Sequence, residues 1–350
     1  MTAKALAEPP ARVLVKETNW LGDLVISLPA LVAVRRAFPA AHLAVLVKQE
    51  LTGFFEGLGW IDETIGYRMR SGLWRNVDSL RVVSAIRIGR FDLAVLFPKS
   101  FEAALWAALG GVPRRAGVAS QGRRILLTDA AQVPIEAPDR HQSSDYLQML
   151  GDALGIDVAP AEARLEPAEP RRERMREWLL RHRRRPERPL VALAPAAAYG
   201  PAKEWPAERY ATLIDRLAEL AGAECVLVGA PAERARSLEI ASASAAGAIV
   251  AAGETDVADL VALLSLTQAF AGNDSGAMHV AGALGIPTVG IFGSTNPART
   301  GPLGPRTRVL YGRIECSPCF DRTCRFGHYE CLKRLAVDDV IRSLRDVGGL

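Results

Sequence analysis

Short apolar runs alternate along this chain with longer stretches in which apolar residues recur every three or four positions. The short runs are typical of buried strands, and the longer stretches are typical of helices with one buried face. In the first half, residues 12–16, 42–48 and 91–98 predict strands, and residues 23–37 predict an amphipathic helix. Continuous apolar strands that alternate with helices favour a parallel sheet covered on both faces.

The second half repeats this pattern, so the fold class is predicted to be α/β with two doubly wound, Rossmann-like domains. Its predicted strands are residues 189–195, 224–229, 248–253, 267–272 and 287–293, and its predicted helices include residues 207–221 and 256–266. Ligands of such sheets bind at the carboxyl ends of the strands, where the strand order reverses.

A charged stretch bounded by prolines, residues 167–189, separates the two halves. We interpret it as a helix plus a linker, with the domain boundary close to Arg185. The predicted domains are therefore residues 1–185 and 186–350. The second domain includes a cysteine-rich segment at 316–331 and a C-terminal helix.

Composition and charge narrow the class of protein further. The chain has 350 residues, of which 49% are apolar and 23% charged, as expected for two folded domains. No apolar run reaches the roughly 18 to 20 residues of a membrane span, and the first residues lack the apolar core of a secretory signal. We therefore expect a cytoplasmic protein. Its net charge of +4 suits an anionic ligand or membrane surface, and no nucleic acid partner is expected.

The segment GNDSGAMHVAGALG, residues 272–285, predicts a helix that begins just after a strand. Asp274 or Ser275 would cap the helix, and Gly276 would let a ligand approach its first turn. The unpaired N–H groups of a helix start suit a diphosphate, and His279 lies one turn further on. The alternative is a core helix with an ordinary cap and a packed histidine.

Two other loops follow predicted strands of the same half. Lys203 lies in a loop rich in glycine and proline, where its charge suits a phosphate. Glu233 lies at the start of the next helix, where a carboxylate can accept hydrogen bonds from ribose hydroxyls. The alternatives are a solvated lysine and an acid favoured only by the helix dipole.

The first half contains NWLGDLVISLPAL, in which Asp23 stands at the predicted start of a helix. A carboxylate at this position could remove a proton from an acceptor hydroxyl, which accelerates a reaction by about 10²- to 10⁴-fold. The alternative is a plain helix cap.

Together these stretches resemble the ADP-heptose–lipopolysaccharide heptosyltransferases of glycosyltransferase family nine, most closely the heptosyltransferase II branch. The resemblance rests on NWLGDLVISLPAL, VPRRAGVASQGRRILLTD, AYGPAKEWP, GNDSGAMHVAGALGIPTVGIFGSTNPARTGPLG and the cysteine segment after it, and it covers nearly the whole chain. It implies a GT-B fold, with the two domains facing a central cleft. It also implies inverting transfer of L-glycero-D-manno-heptose from ADP-heptose to the first heptose of the lipopolysaccharide inner core, with heptosyl-Kdo-lipid A as acceptor.

The resemblance also implies a role for each side chain singled out above. Asp23 is the implied general base, and Asp274 would hold hydroxyls of the heptose. The implied ligands of the diphosphate are Lys203, His279 and the backbone N–H groups of Ser275, Gly276 and Ala277, and the implied ligand of the ribose is Glu233. No metal motif of the DxD type lies in a suitable loop, so we expect catalysis to need no cofactor.

In this family the first half receives the acceptor, whose carboxylates and phosphates are anionic. Arginine pairs with such groups through two hydrogen bonds. The candidate acceptor-binding residues are Arg68, Arg70, Arg114, Arg115 and Arg123. The alternative for each is a solvated surface arginine. A lipid-linked acceptor also implies peripheral contact with the cytoplasmic face of the inner membrane.

Four cysteines form a cluster, Cys316, Cys319, Cys324 and Cys331, with the spacing C-x₂-C-x₄-C-x₆-C. This spacing is compact enough for a tetrahedral thiolate site that holds a structural zinc. An iron–sulfur cluster is the alternative occupant. Cys225, in a predicted strand, is expected to be a core residue.

Other functions remain open on the sequence. Heptosyltransferase I, or another core heptosyltransferase, would share the donor site and differ in its acceptor. A protein that binds a nucleotide sugar without turnover is a second alternative, which Asp23 disfavours. A Rossmann oxidoreductase is disfavoured because no G-x-G-x-x-G follows the first strand.

Overall fold

The computed structural model describes residues 8–72, 74–132, 139–158 and 164–350, without the side chain of Trp74. The chain divides into two compact units, Met1–Ala163 and Arg164–Leu350. Each unit contains one six-stranded sheet in which every strand pair is parallel. The prediction of two doubly wound α/β domains is therefore confirmed.

The first unit has the strand order β3-β2-β1-β4-β5-β6. Its elements are β1 (Arg12–Lys16), α1 (Leu21–Ala37), β2 (His42–Lys48), β3 (Glu63–Tyr67), α2 (Trp74–Gly89), β4 (Leu93–Leu96), α3 (Phe101–Leu109), β5 (Arg114–Val118), β6 (Asp129–Ala131) and α4 (Gln142–Leu154). The apolar residues of β1, β2 and β4 are almost completely buried, which explains why their sequences read as continuous apolar runs.

The second unit has the strand order β12-β11-β10-β7-β8-β9. Its elements are α5 (Glu169–His182), β7 (Leu190–Ala194), α6 (Ala207–Ala221), β8 (Glu224–Leu227), α7 (Arg234–Ala243), β9 (Ile249–Val250), α8 (Val257–Ser265), β10 (Ala269–Asn273), α9 (Gly276–Ala283), β11 (Thr288–Phe292), α10 (Pro297–Thr300), β12 (Thr307–Tyr311), α11 (Glu330–Lys333) and α12 (Val337–Asp346). When the strands are numbered within each unit, the two sheets have the same order. This order reverses between β1 and β4 in the first sheet and between β7 and β10 in the second. These two positions are the switch points at which such sheets bind ligands.

The boundary between the units lies before α5, whereas the sequence analysis placed this charged helix in the first domain. Helix α5 packs against α8, and its Met175 and Leu179 are buried. Arg171 also forms an ion pair with Asp259, which is 2% exposed. The helix therefore belongs to the second unit because of contacts with residues far along the chain, which its own charge pattern does not reveal.

Strand β5 was not predicted, because its sequence RRAGV begins with two of the candidate acceptor-binding arginines. Its backbone pairs with β4 and with the three-residue strand β6. Both strands are short, and neither has a continuous apolar run. They are specified by pairing with their neighbours rather than by their own hydrophobic pattern.

Within the described ranges, no helix is both long enough and apolar enough to cross a lipid bilayer.

Candidate active site

Two predicted donor-site residues meet at the switch point of the second sheet. Lys203 ends a short 3₁₀ helix, Pro201–Lys203, in the loop after β7, and Asp274 directly follows β10. The Lys203 Nζ donates a hydrogen bond of 2.6 Å to Asp274 Oδ2, and both side chains are largely buried. The tertiary structure thus joins two residues that the sequence analysis identified separately.

Asp274 also accepts a hydrogen bond of 2.7 Å from the Thr295 hydroxyl, and its Oδ1 lies 3.8 Å from His279 Nε2. Burial alone would raise the pKa of this carboxyl, but the neighbouring His279 ring and Lys203 ammonium outweigh it and lower the pKa to about 2. Asp274 is therefore a carboxylate at neutral pH. Thr295 was not predicted, although it lies in the GSTNP segment that follows a strand.

The end of β10 is held in place by the fully buried Asn273. Its side-chain oxygen accepts hydrogen bonds from the Trp205 backbone N–H at 3.0 Å and from the Tyr210 hydroxyl at 2.9 Å. Its side-chain nitrogen donates to the Pro195 carbonyl oxygen at 2.8 Å. This network connects the loops after β7 and β10 and so fixes the backbone that carries Asp274.

Helix α9 begins beside this pair, and polar atoms around its start lack partners. In the part of the chain that the structure describes, Ser275 Oγ, His279 Nδ1 and Ser294 Oγ are buried without a hydrogen-bond partner. Ser275 is the N-cap, yet its side chain makes no capping bond. Buried polar atoms in proteins are nearly always paired, and the first N–H groups of a helix have no partner within the helix. An anion at this helix start would satisfy these atoms, and the binding of a diphosphate here stays a prediction.

Glu233 ends the 3₁₀ helix Pro231–Glu233 and directly precedes α7. Its Oε2 accepts a hydrogen bond of 2.7 Å from the Ala230 backbone N–H, and burial raises the pKa of its carboxyl. This contact stabilises the entry into α7. The role of Glu233 in binding ribose stays a prediction.

In the first unit, Asp23 lies in the first turn of α1, and the N-cap of that helix is Trp20. The alternative of Asp23 as a plain cap is therefore wrong. Its Oδ1 accepts a hydrogen bond of 3.4 Å from Gln142 Nε2, which also donates to the Tyr146 hydroxyl at 3.0 Å. Gln142 and Tyr146 lie on α4, which packs against α1, and they hold the Asp23 carboxylate at the start of its helix.

A charged pair that the sequence analysis missed is buried at the end of β1. Glu17 accepts a hydrogen bond of 3.0 Å from the Ser27 hydroxyl, and burial raises the pKa of its carboxyl to about 7. Burial lowers the pKa of the neighbouring Lys16 to about 7 as well. The sequence signal for this buried pair was the presence of two adjacent charged residues at the end of an apolar strand.

Most of the predicted acceptor-binding arginines are bound within their own unit. Arg70 forms two hydrogen bonds to Asp78, at 3.0 and 2.7 Å, and Arg114 forms two to Asp129, at 3.2 and 2.5 Å. Arg115 donates to backbone carbonyl oxygens, including that of Leu126 at 2.6 Å.

Arg123 is fully buried and donates to the carbonyl oxygens of Val118 and Ser100, at 2.8 and 3.1 Å. It shapes the loops after β4 and β5 and cannot reach an acceptor from this position, which corrects its predicted role. Arg68 is exposed, and its predicted role remains untested.

The four clustered cysteines line a single small cavity, and all of them are free thiols. In the described residues, no three His, Cys, Asp or Glu side chains already form a group able to hold a metal ion. The structural zinc therefore stays a prediction. Cys225 is buried in β8 and packs in the core of its unit, as expected.

Two parallel sheets of the same strand order, each with one switch point, define a doubly wound α/β protein, a class that binds ligands at the carboxyl ends of its strands. The comparison with protein families makes this class specific. The model of glycosyltransferase family 9 (heptosyltransferase) matches residues 79–330, and the chain belongs to this family. The predicted family is thus confirmed, and the protein is a glycosyltransferase.

Relatives and solved structures agree with this assignment. The chain is 28% identical, over 309 residues, to lipopolysaccharide heptosyltransferase 2 of Salmonella typhimurium, covering 85% of this chain and 87% of that protein. It superposes on the structure of E. coli ADP-heptose LPS heptosyltransferase II with a TM-score of 0.82 and 24% identity, covering 96% of this chain and 98% of the other. A family 9 glycosyltransferase from Veillonella parvula gives a TM-score of 0.85 and 23% identity, with 98% of each chain covered. These two likenesses confirm the GT-B fold.

Proposed function

We propose that this glycosyltransferase transfers L-glycero-D-manno-heptose from ADP-heptose, with inversion, to the first heptose of the lipopolysaccharide inner core. The observation that carries the proposal is the buried group of Lys203, Asp274 and His279 at the start of α9, surrounded by unpartnered polar atoms. This group combines a cation, free N–H groups and hydroxyls for a diphosphate with a carboxylate for sugar hydroxyls. The name of the relative from Salmonella typhimurium, lipopolysaccharide heptosyltransferase 2, supports heptose as the sugar and lipopolysaccharide as the acceptor.

The diphosphate would bind at the first turn of α9, where the N–H groups of Gly276 and Ala277 point out of the helix. Lys203 Nζ and His279 would add donors to it. Asp274 would repel a phosphate, so its carboxylate would accept hydrogen bonds from heptose hydroxyls instead. Its low pKa keeps it ionised for this task.

The transfer itself needs one base and one stabilised leaving group. Asp23 would take the proton from the acceptor hydroxyl while that oxygen attacks the anomeric carbon. The bond between the anomeric carbon and the diphosphate oxygen breaks, and its electron pair leaves with ADP. Lys203 and the start of α9 stabilise the negative charge that develops on the diphosphate. A single displacement inverts the anomeric carbon and needs no metal.

The test is ADP release by the purified protein with ADP-heptose and either heptosyl-Kdo-lipid A or Kdo-lipid A as acceptor. We expect release only with the heptosylated acceptor. Release with Kdo-lipid A alone would move the protein to heptosyltransferase I activity. Absence of release with both acceptors, despite binding of ADP-heptose, would remove the proposed reaction.

We further propose that the enzyme works in the cytoplasm, in peripheral contact with the inner membrane through α2. Val77, Leu80, Arg81 and Ile88 share one exposed side of this helix, and Leu80 and Ile88 are 66% and 78% exposed. Apolar side chains beside a basic one suit an anionic lipid surface. Co-sedimentation with phosphatidylglycerol vesicles, lost in a Leu80→Ser, Ile88→Ser variant, would support this contact. Equal sedimentation of the variant and the wild type would exclude α2 as the membrane contact.

A further inference from the structure

We propose that Cys316, Cys319, Cys324 and Cys331 form a four-thiolate site for a thiophilic divalent metal ion, zinc in the first place, and that this site holds the loop that carries Lys203. The metal site stands on the cysteine cavity alone. Its effect on ligand binding rests on the proposed function of Lys203 as a phosphate ligand.

The four cysteines of the proposed site lie close together in the fold. The sequence places these cysteines up to 15 residues apart, yet all four line one cavity of about 20 Å³, room for a single water-sized guest. All four thiols are free; Cys316, Cys319 and Cys324 are half-buried, and Cys331 is buried among the core residues of the second unit. Four sulphur donors around one atom-sized space select soft or borderline metals over magnesium or calcium.

The backbone around the cysteines is shaped to accept these sulphurs. His328 Nδ1 lies 4.0 Å from Cys324 Sγ and accepts a hydrogen bond of 3.0 Å from the Glu330 backbone N–H. A side chain at Gly312 would lie 1.5 Å from the Cys331 carbonyl oxygen, so this position requires glycine for the backbone of Cys331 to lie beside it.

Within the described residues the thiols do not stand as a group ready to hold a metal ion, so the proposed site requires the cysteine side chains to converge on the ion. Rotation about the Cα–Cβ bond moves a cysteine sulphur between staggered positions without moving the backbone. The site is therefore assembled by the ion, as in other structural thiolate sites.

The cysteine cavity is connected to the proposed donor site through the loop that carries Lys203. Ala202, which precedes Lys203, lines the cysteine cavity, and its backbone N–H donates to the Arg322 carbonyl oxygen at 3.0 Å. The Tyr199 hydroxyl donates to the Phe320 carbonyl oxygen, and the Phe320 N–H donates to the Ser294 carbonyl oxygen at 2.8 Å.

The segment between the second and third cysteines therefore contacts both the Lys203 loop and the loop after β11. Gly200, with a φ of +141°, lets these chains approach, since a side chain there would lie 2.5 Å from the Arg322 carbonyl oxygen. Fixing the cysteines fixes this segment, and the segment positions Lys203.

The test uses the full chain, purified under reducing conditions from cells grown with added zinc. Elemental analysis should find about one zinc per chain, and replacement by Co²⁺ should give the intense near-ultraviolet absorption of thiolate coordination. Cys316→Ser and Cys324→Ser should lose the metal, and the control Cys225→Ala should keep it. One iron per chain would support the metal site and show that iron, rather than zinc, occupies it.

Folded wild-type protein that takes up neither zinc nor Co²⁺, or that contains disulfides among these cysteines, would overturn the site. The link to Lys203 has its own readout, hydrogen exchange of residues 198–203 and ADP affinity. Metal-free Cys324→Ser should exchange faster there and bind ADP about tenfold more weakly. Metal binding without any ADP affinity in the wild type would remove the proposed function and leave the metal site standing.

Discussion

The two sheets of this protein have the same strand order, yet different chemistry lies at their switch points. In the second unit, Lys203 and Asp274 form an ion pair next to a helix start with unpartnered polar atoms. In the first unit, Lys16 and Glu17 are buried at the end of β1, and burial brings the pKa of each to about 7. Shared topology thus places reactive groups at equivalent positions, and the residues after each strand decide their chemistry.

The helix starts at the two switch points differ in the same way. The first turn of α1 contains the acidic Asp23, whereas the first turn of α9 contains no acid. A carboxylate at a helix start opposes an anionic ligand, because it occupies the positive end of the helix dipole. This difference favours the proposed diphosphate site at α9 and the proposed base at the start of α1.

The largest effect is expected from removing the acid of α1. Asp23→Asn should lower kcat by about 10²- to 10⁴-fold, because the amide cannot accept the acceptor's proton. ADP affinity, measured by calorimetry, should stay unchanged, since Asp23 lies in the other unit. The matched control is Asp152→Asn, an exposed acid on α4. Wild-type kcat in Asp23→Asn would contradict its role as the base.

The next effect should come from breaking the ion pair of the second unit. Lys203→Met should weaken ADP binding by about 10²-fold, because it removes a phosphate donor and leaves Asp274 buried without its cation. It should also lower the free energy of unfolding, whereas the double variant Lys203→Met, Asp274→Asn should recover much of this loss. Equal stability of the single and double variants would show that the pair is not coupled.

An acid introduced at the start of α9 tests whether this helix start binds the diphosphate. Ser275→Asp should weaken ADP binding about tenfold, because a carboxylate at the N-cap of α9 would repel the diphosphate. The matched control Ser275→Ala removes the hydroxyl without adding charge, and should weaken ADP binding less than Ser275→Asp does. Unchanged ADP affinity in Ser275→Asp would place the diphosphate elsewhere.

The smallest effect concerns the buried pair of the first unit. Burial raises the pKa of Glu17 from 4.5 to about 7, so the folded protein holds a proton that the unfolded chain releases between these values. The free energy of unfolding should therefore fall as the pH rises from about 4.5 to 7, by about 1–3 kcal/mol.

Glu17→Gln should remove this fall, as measured by urea unfolding at pH 5 and pH 7.5. The exposed Glu50→Gln should retain it. An identical pH dependence in Glu17→Gln and the wild type would show that Glu17 titrates normally.

The sequence by itself determined the elements that depend on local patterns. Strands β1 and β2 and helix α6 have the predicted bounds, because the strands are buried on both faces and the helix buries one apolar face. Gly285 follows α9 with a φ of +74°, the left-handed conformation in which a glycine commonly ends a helix. Asp274 was identifiable because it directly follows a strand, and Lys203 and His279 because they lie in the loop after β7 and in the helix after β10.

The tertiary structure alone decided which of these residues interact. Lys203 and Asp274 are 71 positions apart, and only the adjacency of β7 and β10 brings them together. The burial of Arg123 and the raised pKa of Glu17 likewise depend on neighbours from other elements. Local pattern encodes which face a segment buries, whereas ion pairs and pKa values are set by charges and solvent exclusion that only the assembled fold defines.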